Sequence, residues 1–270
     1  MKEISDEELL KLQLDILNKV DNFCRLNSIQ YTVFGGTCIG AVRHKGYIPW
    51  DDDIDIAMTR PNYEKFVHSF NGHIENLEVL APELNWDYYA PFANVCDTRT
   101  ILDEGSNGHC GMDIGVKIDV FPIDGVSSND ELFHAEKKEF SKLWGILYFK
   151  RVVLKELWKE NKKTALLFLW EKVRNSNYSY AEIQRKIRNL IVNHPYEQAE
   201  LVDLRSYPWP TDSRCPRIVF EEFMDVPFEN ITVSIIKGYD EYLSKAYGAY
   251  MQYPPEEKRI AKHHFKAYWR

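Results

Sequence analysis

Apolar residues return every three or four positions near the N-terminus, at Leu9, Leu12, Ile16, Val20 and Phe23. That period is the buried stripe of an amphipathic helix. Ser5 with Glu8 reads as a capping box, so the helix opens there and runs to about residue 27. The pattern then shortens to strand length. Residues 30–34 and 53–58 predict two strands, joined through two glycines, a short helix over 37–44 and a basic turn. Pro61 suits the first position of a helix that ends near Gly72. Residues 77–80 and 90–96 read as further strands. Residues 117–121 alternate, with Asp119 on one face and Ile118 and Val120 on the other. From 129 to about 193 the period is helical again, enough for two or three long helices. Residues 219–223 read as a strand, and 234–247 as a last helix stopped by Gly248. The glycine-rich segment 103–112 predicts a loop. This order predicts an α+β fold: a mixed sheet of about five strands flanked by helices, with a helical insertion forming a lobe.

Composition fits that picture. Of the 270 residues, 44% are hydrophobic and 28% charged, ordinary for a globular chain with a substantial core. One elaborated domain over 1–270 is expected: a core over about 28–126, a lobe over about 128–195, and a C-terminal part over 196–270 that packs back on the core. The net charge of −7 argues against a large nucleic-acid-binding surface. Five scattered cysteines (Cys24, Cys38, Cys96, Cys110, Cys215) form no C-x-x-C pair, which fits a reducing cytoplasm and argues against a zinc site. The acidic N-terminus has no apolar core of a signal peptide. The most apolar run, 165–170, is far too short to span a bilayer.

The chemistry concentrates in one stretch, Phe34-Gly35-Gly36-Thr37 through Arg43-His44-Lys45-Gly46 to Trp50-Asp51-Asp52-Asp53-Ile54-Asp55-Ile56. On a strand, Asp53 and Asp55 share a face. Two carboxylates forced side by side repel unless a cation neutralises them, and magnesium prefers such oxygen ligands. Gly35-Gly36 before a helix start lets backbone approach a phosphate, and Thr37 opens that helix. Arg43 offers a bidentate clamp for phosphate oxygens, and Lys45 a point charge. Either has Asp51 or Asp52 as an alternative partner, and His44 reads as well as a packed or capping residue. A solvated acidic turn is the plain alternative for 51–53. A calcium loop is excluded, because Ile56 stands where its glycine belongs and Asn62 where its closing glutamate belongs. Asp119, on a neighbouring strand, supplies the third carboxylate of a two-metal site. Trp86-Asp87-Tyr88-Tyr89 and Tyr207-Pro208-Trp209 are aromatic clusters that suit either a quaternary ammonium or ordinary core packing.

The long run Gly35-Gly36-Thr37 … Gly40-Ala41-Val42-Arg43-His44-Lys45-Gly46 … Ile48-Pro49-Trp50-Asp51-Asp52-Asp53-Ile54-Asp55-Ile56 closely resembles the signature of the LicD family of phosphotransferases. Lys117-Ile118-Asp119-Val120-Phe121-Pro122-Ile123-Asp124 resembles a second block, and Tyr239-Asp240-Glu241-Tyr242-Leu243 through Tyr247-Gly248 to Pro254-Pro255 a third. The resemblance implies a nucleotidyltransferase-like fold. It implies that Asp53, Asp55 and Asp119 are the catalytic residues and hold two Mg2+ ions, with Asp119 helping to deprotonate an acceptor hydroxyl and Asp124 as runner-up. Arg99 resembles another family position within reach of a phosphate. The activity implied is Mg-dependent transfer of phosphocholine, or a related phospho-alcohol, from a CDP-linked donor such as CDP-choline. The acceptor implied is a sugar hydroxyl on a lipid-linked precursor of teichoic acid or lipopolysaccharide. The alternatives are a nucleotidyltransferase acting on a sugar or alcohol phosphate, and a non-catalytic acceptor-binding scaffold of the same fold.

A lipid-linked acceptor places the work at the inner face of the membrane. In the middle helices, Trp144, Leu147, Leu157, Trp158 and Leu166-Leu167-Phe168-Leu169-Trp170 are interleaved with Lys150, Arg151, Lys155, Lys159 and Lys162-Lys163. That mixture suits an ordinary lobe whose apolar face packs inward, or weak peripheral contact with anionic lipid around 144–170.

Overall fold

A computed structural model of the chain describes residues 1–105, 112–208, 212–260 and 266–270. Cys110, Trp209 and the greater part of the glycine-rich loop lie outside the described residues. In chain order the elements are β1 (Lys2–Ile4), α1 (Asp6–Leu26), β2 (Thr32–Val33), α2 (Gly35–Ile39) running into a π-helical turn (Gly40–His44), β3 (Asp55–Thr59), α3 (Arg60–Ser69), β4 (Leu77–Leu80), β5 (Ala93–Asp97), β6 (Thr100–Asp103) and β7 (Lys117–Val126). There follow α4 (Asp130–Arg151), α5 (Leu154–Glu160), α6 (Lys162–Arg174), α7 (Tyr180–Ile191), β8 (Leu201–Asp203), β9 (Cys215–Pro216), β10 (Phe223–Phe228), β11 (Ile231–Ile236), α8 (Tyr239–Tyr247) and β12 (Lys266–Trp269).

Ser5 caps α1 through its hydroxyl, which accepts from the Glu8 N–H (3.3 Å), as its spacing predicts. Leu9, Ile16, Val20 and Phe23 are buried along one face of α1, with Leu12 half-buried beside them. The main sheet runs β2-β3-β7-β5-β4, and β8 and β9 extend it to seven strands. β3 and β7 are parallel, and β2, β5 and β4 join antiparallel, so the sheet is mixed and the class α+β. Strand β7 is long enough to serve two neighbourhoods: its start pairs with β3 and β5, and its end pairs with β8.

Three expectations need correction. The strand expected over 53–58 begins at Asp55, because the Asp52 carbonyl is drawn out of the sheet by the Gln13 side-chain amide of α1 (3.1 Å). The helix expected over 234–247 begins only at Tyr239, and of the strand expected over 219–223 only Phe223 is one, as the first residue of β10, after a 3-10 turn that ends at Phe220. Residues 231–236 alternate in a hairpin with β10 instead, and that hairpin docks on β2 through Ile236 N–H donating to Thr32 Oγ1 (3.1 Å). The hairpin tip also fixes the basic turn: the Glu229 N–H donates to the Lys45 carbonyl (2.8 Å), and its carboxylate accepts from the Tyr47 N–H (3.0 Å).

The helical middle has four helices rather than two or three. Phe140, Leu143 and Leu147 of α4 pack with Ile183, Ile187 and Ile191 of α7. Val152, Leu157 and Ala165 make a second small cluster. No helix among the described residues is long and apolar enough to cross a membrane.

Candidate active site

The site is built on the parallel pair. Asp55 of β3 and Asp119 of β7 are register partners, and the Asp119 N–H donates to the Ile54 carbonyl (2.9 Å). The start of β3 is pinned by Thr37, whose hydroxyl accepts from the Asp55 N–H (2.9 Å). Just before it, Asp51, Asp52 and Asp53 each offer an oxygen within 4.8 Å of the others. Asp53 thus lies in the turn before the strand, and its charge bears on Asp55. Burial, reinforced by Asp53, Asp119 and Asp51 and opposed by Lys117, raises Asp55 well above the usual carboxylate range.

The glycine turn is shaped by these carboxylates. Gly35 has φ +55°, and a Cβ there would lie 3.1 Å from Asp55 Oδ2 and 3.5 Å from the Tyr247 hydroxyl. A Cβ on Gly36 would lie 2.5 Å from Asp51 Oδ2. The two glycines thus leave room for the acidic cluster. The Gly35 N–H donates to the Tyr242 hydroxyl (3.3 Å). The residues expected to cradle a phosphate, Gly35, Gly36 and Thr37, are in this structure the wall and anchor of the carboxylate site.

A cavity of about 430 Å3 opens beside Asp53 and Asp119, bounded by Gln13, Glu104, Lys117 and the aromatic residues Tyr89, Phe92, Trp144, Tyr148 and Tyr207. Asp119 Oδ1 accepts from Lys117 Nζ (2.7 Å) and from Asn94 Nδ2 (2.5 Å). The Asn94 Oδ1 in turn accepts from the Tyr89 hydroxyl (2.8 Å) and the Tyr88 hydroxyl, which fixes the amide's orientation. Burial alone would lower the Lys117 ammonium, but Asp119, with Tyr89 and Glu104, overrides it and holds it well above its ordinary value.

Several of these residues carry little signal in the sequence. Lys117 carries some, since it stands two positions from Asp119 and so shares its face. Asn94 carries none, because only the β5–β7 register brings it opposite Asp119. Trp144, Tyr148 and Arg151 recur at helical spacing on α4, but nothing in the spacing says that their face meets the cavity.

The basic turn lies differently from expectation. Arg43 donates through Nη1 to the carbonyls of Tyr250 (2.7 Å) and Gln252 (3.1 Å) and through Nε to His44 Nε2 (2.9 Å), and its guanidinium sits 4.8 Å from the Tyr253 ring centre. It holds the C-terminal segment. Lys45 is exposed, in a left-handed backbone conformation. Arg99 is paired with Asp97 (2.5 Å). Asp124, the runner-up, is buried and takes both arms of the Arg60 guanidinium (2.6 and 2.7 Å), which makes it part of the core's ion pairing.

The donor set tests the fit of a metal. It is all carboxylate oxygen, Asp51, Asp52 and Asp53 are clustered, and burial with the neighbouring carboxylates lifts Asp55 toward protonation. Such a set suits a hard divalent cation like magnesium. The four cysteines among the described residues are buried free thiols, and none joins it.

An α+β domain with carboxylates on a parallel pair has its counterpart among known families. Residues 28–144 match the family model described as LicD/FKTN/FKRP, nucleotidyltransferase domain. The chain is 30% identical over 276 residues to the lipopolysaccharide cholinephosphotransferase LicD of Haemophilus influenzae, an alignment that covers 99% of each protein. It is also 32% identical over 103 residues to the uncharacterized protein RP689 of Rickettsia prowazekii, covering 38% of this chain and 33% of that one. The chain belongs to the LicD family. It is accordingly an enzyme of the phosphotransferase class.

Proposed function

We propose that this enzyme transfers phosphocholine, or a related phospho-alcohol, from a CDP-linked donor to a sugar hydroxyl of a cell-surface glycopolymer precursor. The observation that carries the reading is the end-to-end similarity to a lipopolysaccharide cholinephosphotransferase, joined to a carboxylate cluster that borders an aromatic-lined cavity. Asp53, Asp55 and Asp119 would hold magnesium, with Asp51 and Asp52 close enough to share in it. Magnesium bound there would neutralise the donor's diphosphate and stabilise the departing CMP.

The residues of the chain have separate tasks. Asp119 has one oxygen bonded to both Lys117 and Asn94, so the other is the one to accept the acceptor's hydroxyl proton. The acceptor oxygen forms a bond to phosphorus, the bond from phosphorus to the CMP oxygen breaks, and the proton stays on Asp119. Trp144 and Tyr207, with ring centres 5.6 Å apart at the cavity wall, offer faces suited to a quaternary ammonium. Gly35, Gly36 and Thr37 keep the carboxylates open to the donor, and Lys45 is the residue of the basic turn with its side chain in solvent. A lipid-linked acceptor would bring the enzyme to the inner face of the membrane by weak peripheral contact.

The test is product analysis with Mg2+, a glycopolymer acceptor and a panel of CDP-choline, CDP-ethanolamine and CDP-ribitol. Release of CMP with phospho-alcohol on the acceptor is expected. Pyrophosphate release from CTP, with no CMP from any CDP-alcohol, would instead mark a nucleotidyltransferase.

A further inference from the structure

Arg151 is the last residue of α4, and it faces the cavity together with Trp144 and Tyr148 of the same helix. Its guanidinium carbon lies 5.6 Å from the Tyr89 ring centre and 5.2 Å from that of Tyr148. Two aromatic faces therefore hold the guanidinium. Neither supplies a lone pair for its N–H groups, and its Nε is buried with no hydrogen-bond acceptor among the described residues. A guanidinium held in place with an unmet N–H is prepared for an anion that is not part of the chain.

The surroundings say which anion. Tyr89 donates to Asn94 (2.8 Å) and Asn94 to Asp119 (2.5 Å), so Arg151 is joined to the carboxylate site by three successive contacts. Lys117, the other cation of the cavity, is already paired with Asp119 (2.7 Å) and faces Glu104 (3.8 Å). Arg43 is committed to backbone carbonyls of the C-terminal segment. A cavity bordered by cation-holding carboxylates on one side and this guanidinium on the other suits a phosphate or diphosphate group.

We propose that Arg151 is a substrate-binding residue that donates to the phosphate oxygens of the donor. The identity of that donor rests on the transferase reading above, whereas the anion class rests on the cavity itself. The lobe helix then has a function at the site, because α4 closes the cavity and supplies the anion-binding group.

The experiment measures binding of inorganic pyrophosphate, with Mg2+, by calorimetry. It compares the wild type with Arg151→Met, Arg151→Lys and the control Lys150→Met, whose ammonium sits 5.6 Å from the Tyr180 ring centre instead. Arg151→Met is expected to weaken binding about tenfold or more, and Arg151→Lys by a smaller factor, because lysine keeps the charge but loses the planar fork. Lys150→Met should bind as wild type. Circular dichroism melts check folding, and if the methionine variant does not fold, the lysine variant decides. Wild-type affinity in the folded Arg151 variants, or no pyrophosphate binding by the wild type, would overturn the proposal. Kinetics with CDP-choline should show a raised KM with kcat little changed. Arg151-dependent pyrophosphate binding without CMP release from any CDP-alcohol would leave Arg151 standing and remove the transferase reading. CMP release with an unchanged KM in Arg151→Met would do the reverse.

Discussion

Asp55 and Asp119 lie side by side as register partners on neighbouring parallel strands, and burial with three nearby carboxylates raises Asp55 well above its ordinary value. A native state that carries such repulsion is less stable than its packing allows. Asp55→Asn removes one of the charges. Without divalent cations it should melt higher than wild type, by about 2–4 °C for a gain of about 1 kcal/mol. If the carboxylates hold magnesium as proposed, Mg2+ should raise the melting temperature of the wild type and not that of this variant. A variant that melts lower and still gains from Mg2+ would contradict this account of the cluster.

Under the proposed function Asp119 takes the acceptor's proton, and the split between kcat and KM tests this role. Asp119→Asn keeps the shape and an acceptor oxygen, but its amide cannot take a proton. Loss of a general base costs on the order of 10²–10⁴ in kcat, with the donor KM within a few-fold of wild type. A raised KM at near-normal kcat would make Asp119 a binding residue and move the base elsewhere.

Gly36 leaves space for Asp51. A Cβ there would stand 2.5 Å from Asp51 Oδ2, too close for both to keep their places. The carboxylate can swing away more cheaply than the backbone can move. Gly36→Ala should therefore fold within about 1 kcal/mol of wild type but bind Mg2+ or Mn2+ more weakly. Metal titrations followed by calorimetry check it. Unchanged metal affinity would mean that Asp51 takes no part.

The sequence announced the parts of this site that lie close together along the chain. The capped first helix, the glycine turn, the 51–55 carboxylates and the alternating strand around Asp119 all follow from local period and residue type. The parts set by long-range register did not show. Asn94 reaches Asp119 only through the β5–β7 pairing, and Arg151 reaches Tyr89 only after the lobe packs down. The turn before β3 has the period of a strand, but the Gln13 amide of α1 bonds the Asp52 carbonyl there, a contact across 39 positions. The charge of Arg43 suggests a phosphate, whereas its partners are carbonyls more than 200 residues on.

Asp203 gives a pH dependence away from the carboxylate cluster. It is buried at the end of β8, and burial pushes it up to about 6, against hydrogen bonds from Ser213 and the Leu204 N–H that favour the charged form. The folded chain thus binds this proton more tightly than the unfolded chain does. The stability it contributes is complete below about pH 4 and is lost as pH rises through about 6, to a cost of about 3 kcal/mol above that. Asp203→Asn keeps an acceptor for both hydrogen bonds and cannot titrate. Urea melts from pH 4 to 8 should show the wild type losing stability relative to the variant across that window. Parallel curves would remove Asp203 as the cause.

The lobe's outer face sets the last prediction. Of the apolar residues considered for lipid contact, Leu147 and Leu157 are inside, buried in the lobe's own clusters. Arg151 faces the cavity, so reversing its charge would disturb the site and not a surface. Most of what faces outward is on α6, where Leu166, Leu169, Trp170 and Val173 recur at i, i+3, i+4 and i+7 and are 54%, 45%, 56% and 65% exposed, with Leu167 and, on α5, Trp158 exposed beside them. An apolar stripe at helical spacing that meets solvent is the arrangement of a helix that lies on an interface. Lys162 and Lys163 are exposed at its first turn and can reach anionic headgroups, each for about 1 kcal/mol. The −7 of the whole chain opposes general attraction, so the contact should be weak, local and sensitive to salt. Two variants separate its parts in liposome flotation with anionic lipid. Leu166→Ser with Trp170→Ser removes the apolar contact, and Lys162→Glu with Lys163→Glu should lower lipid recovery about tenfold or more at low salt. Neither touches the cavity, so turnover of a water-soluble acceptor should stay at the wild-type level. If both variants float with the wild type, α6 is not the surface that meets lipid.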